Sequence, residues 1–380
     1  MGWLLCSCIE PFDTEFVDFE DAFVVDATIT NQMKRQEIIL TRTYRLQDDD
    51  IPNEAGARIV VTDDTGEEFL FEEVDFGKYI SNVSFAALPE RNYQLLITSR
   101  NGREYSSGAM RLPQVSTIDT LYANRITNDF GEEGIGIFVD TSNPSEDSNF
   151  YRYEYEETYK VIAPRWDPKE LEVVDENDGT TSIIIIPRSL DEQVCYPTNL
   201  SKRIILTDTD SFDAGMVDDF MLKFIEQNNF ITTHRYSILV RQFVHSLETY
   251  KFLETLNEFS TSESLFSETQ PGFLEGNIAA KDDPDEKVLG FFDVTAISEK
   301  RIFFGYRDFF PTERFPDYID PCIENAPDNG LIDLIRWDLV KYIDKNEGQF
   351  VPGGPYITVP QVCGDCTILG TSEVPDFWIE

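Results

Sequence analysis

Short runs in which apolar and polar residues alternate begin at Phe23 and recur along the chain. A strand turns successive side chains to opposite faces, so this period predicts strands with one buried face. Phe23–Ile29, Glu37–Tyr44, Ala57–Thr62 and Glu67–Glu72 each carry it, with a turn at Asp63-Asp64-Thr65-Gly66 between the last two. Gly77–Tyr79, Tyr93–Thr98 and, after Asn101-Gly102, Arg103–Ser106 continue the series. Strands this short and regularly spaced predict a sandwich over residues 23–112. In this reading Gly77 allows a tight turn, while Tyr79 and Tyr93 pack the core.

Leu112–Asp119 breaks the pattern, and residues 113–119 are read as a linker. A second β series follows in Gly134–Val139, Asn149–Tyr155, Ser182–Pro187, Arg203–Thr207 and Arg235–Phe243. Ser246 is placed to cap a helix over about 247–259, where Leu247, Tyr250, Leu253 and Leu256 recur at helical spacing. Val288–Val294 and Lys300–Gly305 read as buried strands, and Leu331 through Tyr342 as a second short helix. The expected fold is mainly β. It has two β-sandwich domains, immunoglobulin-like or transthyretin-like, the second spanning 120–380 and holding one or two short helices. Tyr151, Tyr153 and Tyr155 share one strand face, a candidate aromatic binding face whose bland alternative is core packing.

Composition narrows the function. The 380 residues suit two domains, and 41% hydrophobic content supports packed cores. Asp plus Glu number 71 against 31 Lys plus Arg, a net charge of −40. That balance argues against nucleic-acid binding, which needs basic clusters to neutralise phosphate. No apolar run is long enough to cross a bilayer as a helix. The acidic runs Asp48–Asp50 and Asp282–Glu286 lack the spacing of a calcium loop and are read as solvated.

Residues 1–8 end in Leu5-Cys6-Ser7-Cys8, the pattern of a bacterial lipobox closing a signal peptide. Cys8 is the candidate for lipidation, and the acidic, aromatic residues 9–22 are the candidate tether. The remaining cysteines, Cys195, Cys322, Cys363 and Cys366, form an even set, the mark of two disulfides in an exported protein, with three possible pairings. Cys363-Gly-Asp-Cys366 has the alternative of a redox pair, which needs a βαβ setting not visible here. Zinc binding is disfavoured because the two histidines, His234 and His245, are distant in sequence from this pair.

No Gly-x-Ser-x-Gly elbow, phosphate loop or dinucleotide fingerprint is present. No catalytic residue, metal ligand or cofactor is therefore assigned, and the chain is expected not to be an enzyme. A carboxylate-based hydrolase or thiol oxidoreductase is the alternative.

Several stretches together resemble one family. They are Cys8–Phe12, Val25–Thr30, Leu40–Thr43, Gly77–Tyr79, Phe150–Tyr159, Gly276–Ile278, Val288–Phe292, Cys363–Cys366 and Pro375–Trp378. In this order they resemble the Bacteroidota surface lipoproteins catalogued as domain of unknown function number 4249. The resemblance implies an outer-membrane, cell-surface lipoprotein held in the lipid bilayer by an acyl anchor. It further implies an accessory or substrate-capturing role beside an outer-membrane β-barrel protein, a TonB-dependent transporter. A scaffold subunit of an outer-membrane assembly or secretion complex is the second expectation.

Overall fold

The computed structural model describes residues 22–44, 52–142, 149–188, 192–212, 216–261, 274, 276–348 and 351–380. The described chain is mainly β and divides into two units. The first takes residues up to Pro113 together with His245–Ala296. The second takes Gln114–Val244 and Ile297 onward. The lipobox with Cys8, all of the 9–22 tether except the buried Ala22, and Asp48–Asp50 lie outside the described residues.

The first unit opens with β1 (Phe23–Thr30), β2 (Glu37–Arg42), β3 (Arg58–Asp63), β4 (Glu68–Asp75) and β5 (Lys78–Ser81). It continues with β6 (Asn92–Thr98), β7 (Glu104–Ser107) and β8 (Met110–Arg111). Their order in the sheet is β1-β2-β5-β4-β3-β6-β7, with β8 on β6. The alternation explains each strand: Phe23, Val25, Ala27 and Ile29 are buried while Asp26 is exposed. Tyr93, Leu95 and Ile97 repeat the pattern in β6. Burying each large apolar side chain contributes about 1.5–3 kcal/mol. Tyr79 is fully buried and satisfies its hydroxyl by donating to Glu54 O at 3.0 Å and accepting from Ala57 N at 2.9 Å. Gly77 is required twice over. Its φ is +72°, and a Cβ there would lie 2.4 Å from the carbonyl oxygen of Leu40.

The turn after β3 is built on Asp63. Its carboxylate accepts from Thr65 N and Oγ1 and from Glu67 N, and pairs with Arg91. Burial pushes this carboxyl upward, but those donors outweigh it and hold it down at about 2.

The chain then enters the second unit. There β9 (Ile118–Thr127), β10 (Glu133–Thr141), β11 (Phe150–Tyr159), β12 (Val161–Ile162), β13 (Lys169–Asp175) and β14 (Thr181–Pro187) are followed by β15 (Val194–Cys195) and β16 (Thr198–Leu200). After them come β17 (Ile205–Asp208), β18 (Val217–Glu226) and β19 (Tyr236–His245). The helix α1 (Leu247–Thr261), β20 (Ile278–Ala280) and the start of β21 (Val288–Phe304) return to the first unit. The second unit is completed by the rest of β21, α2 (Tyr306–Phe309), α3 (Leu331–Arg336), β22 (Val340–Lys345), β23 (Tyr356–Pro360) and α4 (Gln361–Gly364).

This division corrects the domain expectation. The helix near 247–259 forms, and Ser246 Oγ accepts from Thr249 N at 3.1 Å as its cap, but it belongs to the first unit. The second domain therefore does not run unbroken over 120–380. The cause is pairing at long range: β21 runs parallel to β1, with Phe23 opposite Val288 and Thr30 opposite Thr295. A parallel partner needs a crossover and leaves no local turn signal to read. Gly290 makes that approach possible, since a Cβ there would lie 1.9 Å from Val25 O. At the other end of the path β20 pairs with β7. Asn277, just before β20, donates from Nδ2 to Phe292 O and accepts at Oδ1 from Phe292 N, both at 2.8 Å. One side-chain amide thus stands in for a backbone ladder pair and joins the two ends of the strand path. Glu286 is also not simply solvated. Its side chain accepts from the Tyr105 hydroxyl at 2.8 Å and from Arg103 at 2.9 Å.

In the second unit, β16, β11, β19 and the later part of β21 lie side by side, with β17 also on β11. A three-stranded sheet has the order β18-β10-β9. The stretch 113–119 is only partly a linker, because Ile118 and Asp119 already belong to β9 and Ser116 is buried. Val288–Val294 and Lys300–Gly305 are one strand rather than two. The stretch between them, Thr295–Glu299, continues the strand: Thr295 is in the ladder opposite Thr30, and Ser298 Oγ accepts from Ile118 N at 3.1 Å. Leu171, Leu331 and Tyr342 form a small separate core where β13, α3 and β22 meet.

Candidate functional site

The four cysteines of the second unit form two disulfides, Cys195–Cys366 and Cys322–Cys363. The two members of Cys363-Gly-Asp-Cys366 therefore bond to different partners and not to each other. Between them, Asp365 is almost fully buried. Burial raises its carboxyl, but hydrogen bonds from Thr367 and the ion pair to Lys341 at 3.0 Å lower it on balance. Gly364 O accepts from the buried Arg188 guanidinium at 2.6 Å. The segment is thus fixed by charges as well as by sulfur.

The aromatic face is corrected for two of its three members. Tyr151 and Tyr153 are fully buried. Tyr153 stacks on Phe220 with ring centres 5.6 Å apart, and its hydroxyl donates to Gln242 Oε1 at 3.0 Å. Gln242 Oε1 also accepts from Thr141, and its Nε2 donates to Ser116 O. The Tyr151 hydroxyl donates to Ser116 Oγ. Burial pushes both phenols upward. Large aromatics on the inward face of a sandwich sheet pack the core, and here their hydroxyls also satisfy its polar atoms. Tyr155, at the end of the stripe, is only half-buried.

Tyr155 is among the residues lining an open cleft of about 350 Å³ with Arg152, Glu154, Lys202, Arg203 and Arg241. Backbone register makes this cleft. β16 pairs with Glu156–Thr158 of β11, and β17 pairs with Phe150–Tyr153. Ser201, Lys202, Arg203 and Ile204 then stand opposite only Glu154 and Tyr155. The surplus residues form a wide bulge, held at one side by Ser201 N to Tyr155 O at 2.8 Å and Tyr155 N to Ser201 Oγ at 3.1 Å. The guanidinium of Arg152 lies 4.2 Å from the centre of the Phe243 ring and pairs with Glu154 through Nη1 at 2.8 Å. Arg241 pairs with Glu299 through Nε at 2.9 Å and with Glu156 through Nη2. Lys202 and Arg203 are exposed and make no ion pair with a described residue.

A family model described as a domain of unknown function, DUF4249, matches residues 9–301. The chain belongs to that family. No curated protein matches the chain. Every cleft-lining residue falls within the DUF4249 span, whereas Cys322, Cys363 and Cys366 lie beyond it.

Among the described residues, two groups of side chains come close enough to share a metal ion. One contains Asp320 with Cys322 and Cys363, whose sulfurs are already joined in a disulfide. The other is Asp140, Asp218 and Asp219 near the surface. There Asp219 N donates to Asp140 at 2.9 Å and the Tyr122 hydroxyl to Asp219, so the bulge that sets Asp218 and Asp219 of β18 opposite Asp140 of β10 accounts for it. His234 is exposed, and His245 is buried against Asp293, Nδ1 to Oδ2 at 2.8 Å. Thr249 donates to the other Asp293 oxygen, which ties this histidine to the start of α1.

Proposed function

We propose that this DUF4249 protein is a non-enzymatic surface lipoprotein of the outer membrane. It is anchored through an acylated Cys8 and serves as an accessory, substrate-capturing subunit of a TonB-dependent transporter. The observation that carries the reading is the closure of all four body cysteines into two disulfides. That arrangement belongs to an oxidising compartment and leaves no dithiol at Cys363 and Cys366 for redox work. An open cleft on a stapled β body, and the lipobox-like residues 5–8, support the same reading. A lipid tether confines both proteins to one surface and raises their effective concentration.

Gentle detergent extraction of the tagged protein from its native membrane tests the partner. A large β-barrel is expected to co-purify, and recovery of the chain without one overturns the transporter role. Co-purification with assembly or secretion components instead would replace it with a scaffold role. Mass spectrometry of the mature N-terminus tests the anchor, with a lipid-modified Cys8 expected.

A further inference from the structure

We propose that the cleft beside the bulge at Ser201–Ile204 binds a small oxyanion carrying two or more negative charges. The inference goes beyond the transporter reading, because it concerns the second unit alone.

Four cationic side chains, Arg152, Lys202, Arg203 and Arg241, line this cleft against one carboxylate, Glu154. They do so on a chain where acidic residues outnumber basic ones 71 to 31. The four fall into two kinds. Arg152 and Arg241 are oriented in advance, the first by the Phe243 ring and Glu154, the second by Glu299 and Glu156. Orientation of this kind lowers the entropy lost when a ligand is gripped. Lys202 and Arg203 are adjacent in sequence and exposed, and they have no carboxylate partner among the described residues. Two neighbouring like charges repel, and a dianion between them removes that cost while gaining charge-assisted hydrogen bonds. Arg203 offers the planar fork that suits carboxylate and phosphate oxygens.

Size sets the other limit. A cleft of about 350 Å³ lies near the lower end of small-molecule sites, which favours a compact ligand over a polymer. The apolar side chains of Leu200 and Ile204 also line it, so a short hydrocarbon skeleton between the charged groups is accommodated. The bulge provides the positioning. Two edge segments paired with one strand fix both ends of the four intervening residues, and Ser201 is itself bonded to Tyr155, which leaves Lys202, Arg203 and Ile204 outside the ladder. Far negative charges on the same chain are screened over roughly 8–10 Å at physiological ionic strength and do not cancel the local field.

Isothermal titration of the full, disulfide-intact chain tests this with two separate probes, tricarballylate for carboxylates and pyrophosphate for phosphates. Glycerol is the uncharged control. At least one anion is expected to bind, more weakly as salt is added, while glycerol gives no heat of binding. The double variant Lys202→Gln with Arg203→Gln is expected to lose roughly tenfold or more in affinity. Lys251→Gln on α1 is expected to bind as the parent does. Binding of tricarballylate alone assigns a carboxylate ligand, of pyrophosphate alone a phosphate ligand, and of both a site for clustered oxyanions in general. The proposal is overturned if neither anion binds, or if the double variant binds as tightly as the parent. A thermal scan checks folding, and should the double variant misfold, Arg203→Gln alone carries the same test. Failure to recover a barrel partner would leave this result untouched, so the two readings fail separately.

Discussion

The two units reach order by different means. The first contains no cysteine between residues 22 and 113 or between 245 and 296. It is held by a continuous strand path whose ends meet at Asn277 and Phe292. The second unit has a long C-terminal stretch with only two strands after Phe304 and a small separate core. Both disulfides tie that stretch down, one to β15 and one within it. Where strand pairing satisfies the backbone, sulfur is not needed. Where regular structure thins out, cross-links limit the unfolded ensemble instead.

Removing sulfur should therefore separate the units most sharply. Cys195→Ser with Cys366→Ser opens a link spanning 171 residues and is expected to cost about 5 kcal/mol. The pair Cys322→Ser and Cys363→Ser spans 41 residues and should cost about 4 kcal/mol. Hydrogen exchange should show amide protection falling in the second unit and unchanged in the first. Equal losses in both would break the contrast.

The reverse experiment is Asn277→Ala. It deprives Phe292 N–H and C=O of their partner, with an expected cost of about 3 kcal/mol. Early exchange in β1, β20 and the first part of β21, with the second unit unaffected, would locate the damage.

Acid gives a finer probe of the first unit. The Asp63 carboxyl is held at about 2 in the folded chain, against about 3.9 when unfolded. A depressed carboxyl stabilises fully above its unfolded value, and the contribution disappears as pH falls through its folded value. Asp63→Ala should cost about 1–2 kcal/mol at pH 7. The gap from the parent should narrow between about pH 4 and pH 2 in denaturant titrations.

The smallest effect is expected from Tyr153→Phe, which removes one of two hydroxyls bonded to Gln242 Oε1 and should cost about 1 kcal/mol. A much larger loss would mean that the second unit relies on this polar cluster more than on its disulfides.

Local pattern made the strands of the first unit legible. Phe23–Ile29 and Tyr93–Thr98 show period two plainly, and Ser246 marks the start of α1. Ownership of α1 was not legible, because it depends on a parallel pairing between Phe23 and Val288 that no neighbouring residue signals. The tyrosine stripe was correctly placed on one strand face. Which face was buried depended on Phe220 and Gln242, both distant in sequence. The cleft was hidden for a similar reason. Arg203–Thr207 reads as an ordinary strand, and the bulge exists only once β16 and β17 are both aligned on β11. Its one sequence trace, the adjacent Lys202 and Arg203, is shared with Lys34-Arg35 and Lys300-Arg301 and could not single it out.

The pairing of β1 with β21 also sets an order of events during biosynthesis. A chain emerges N-terminus first, so β1 is made long before Val288–Thr295 exists to cover its outer edge. Until then an apolar strand with Phe23, Val25 and Ile29 presents unpaired backbone groups, the kind of edge that recruits other chains. Any nascent or truncated form ending before Val288 carries that open edge. The polypeptide thus has its greatest need of protection from aggregation while it is being made, and loses that need only when more than three-quarters of its 380 residues have been joined.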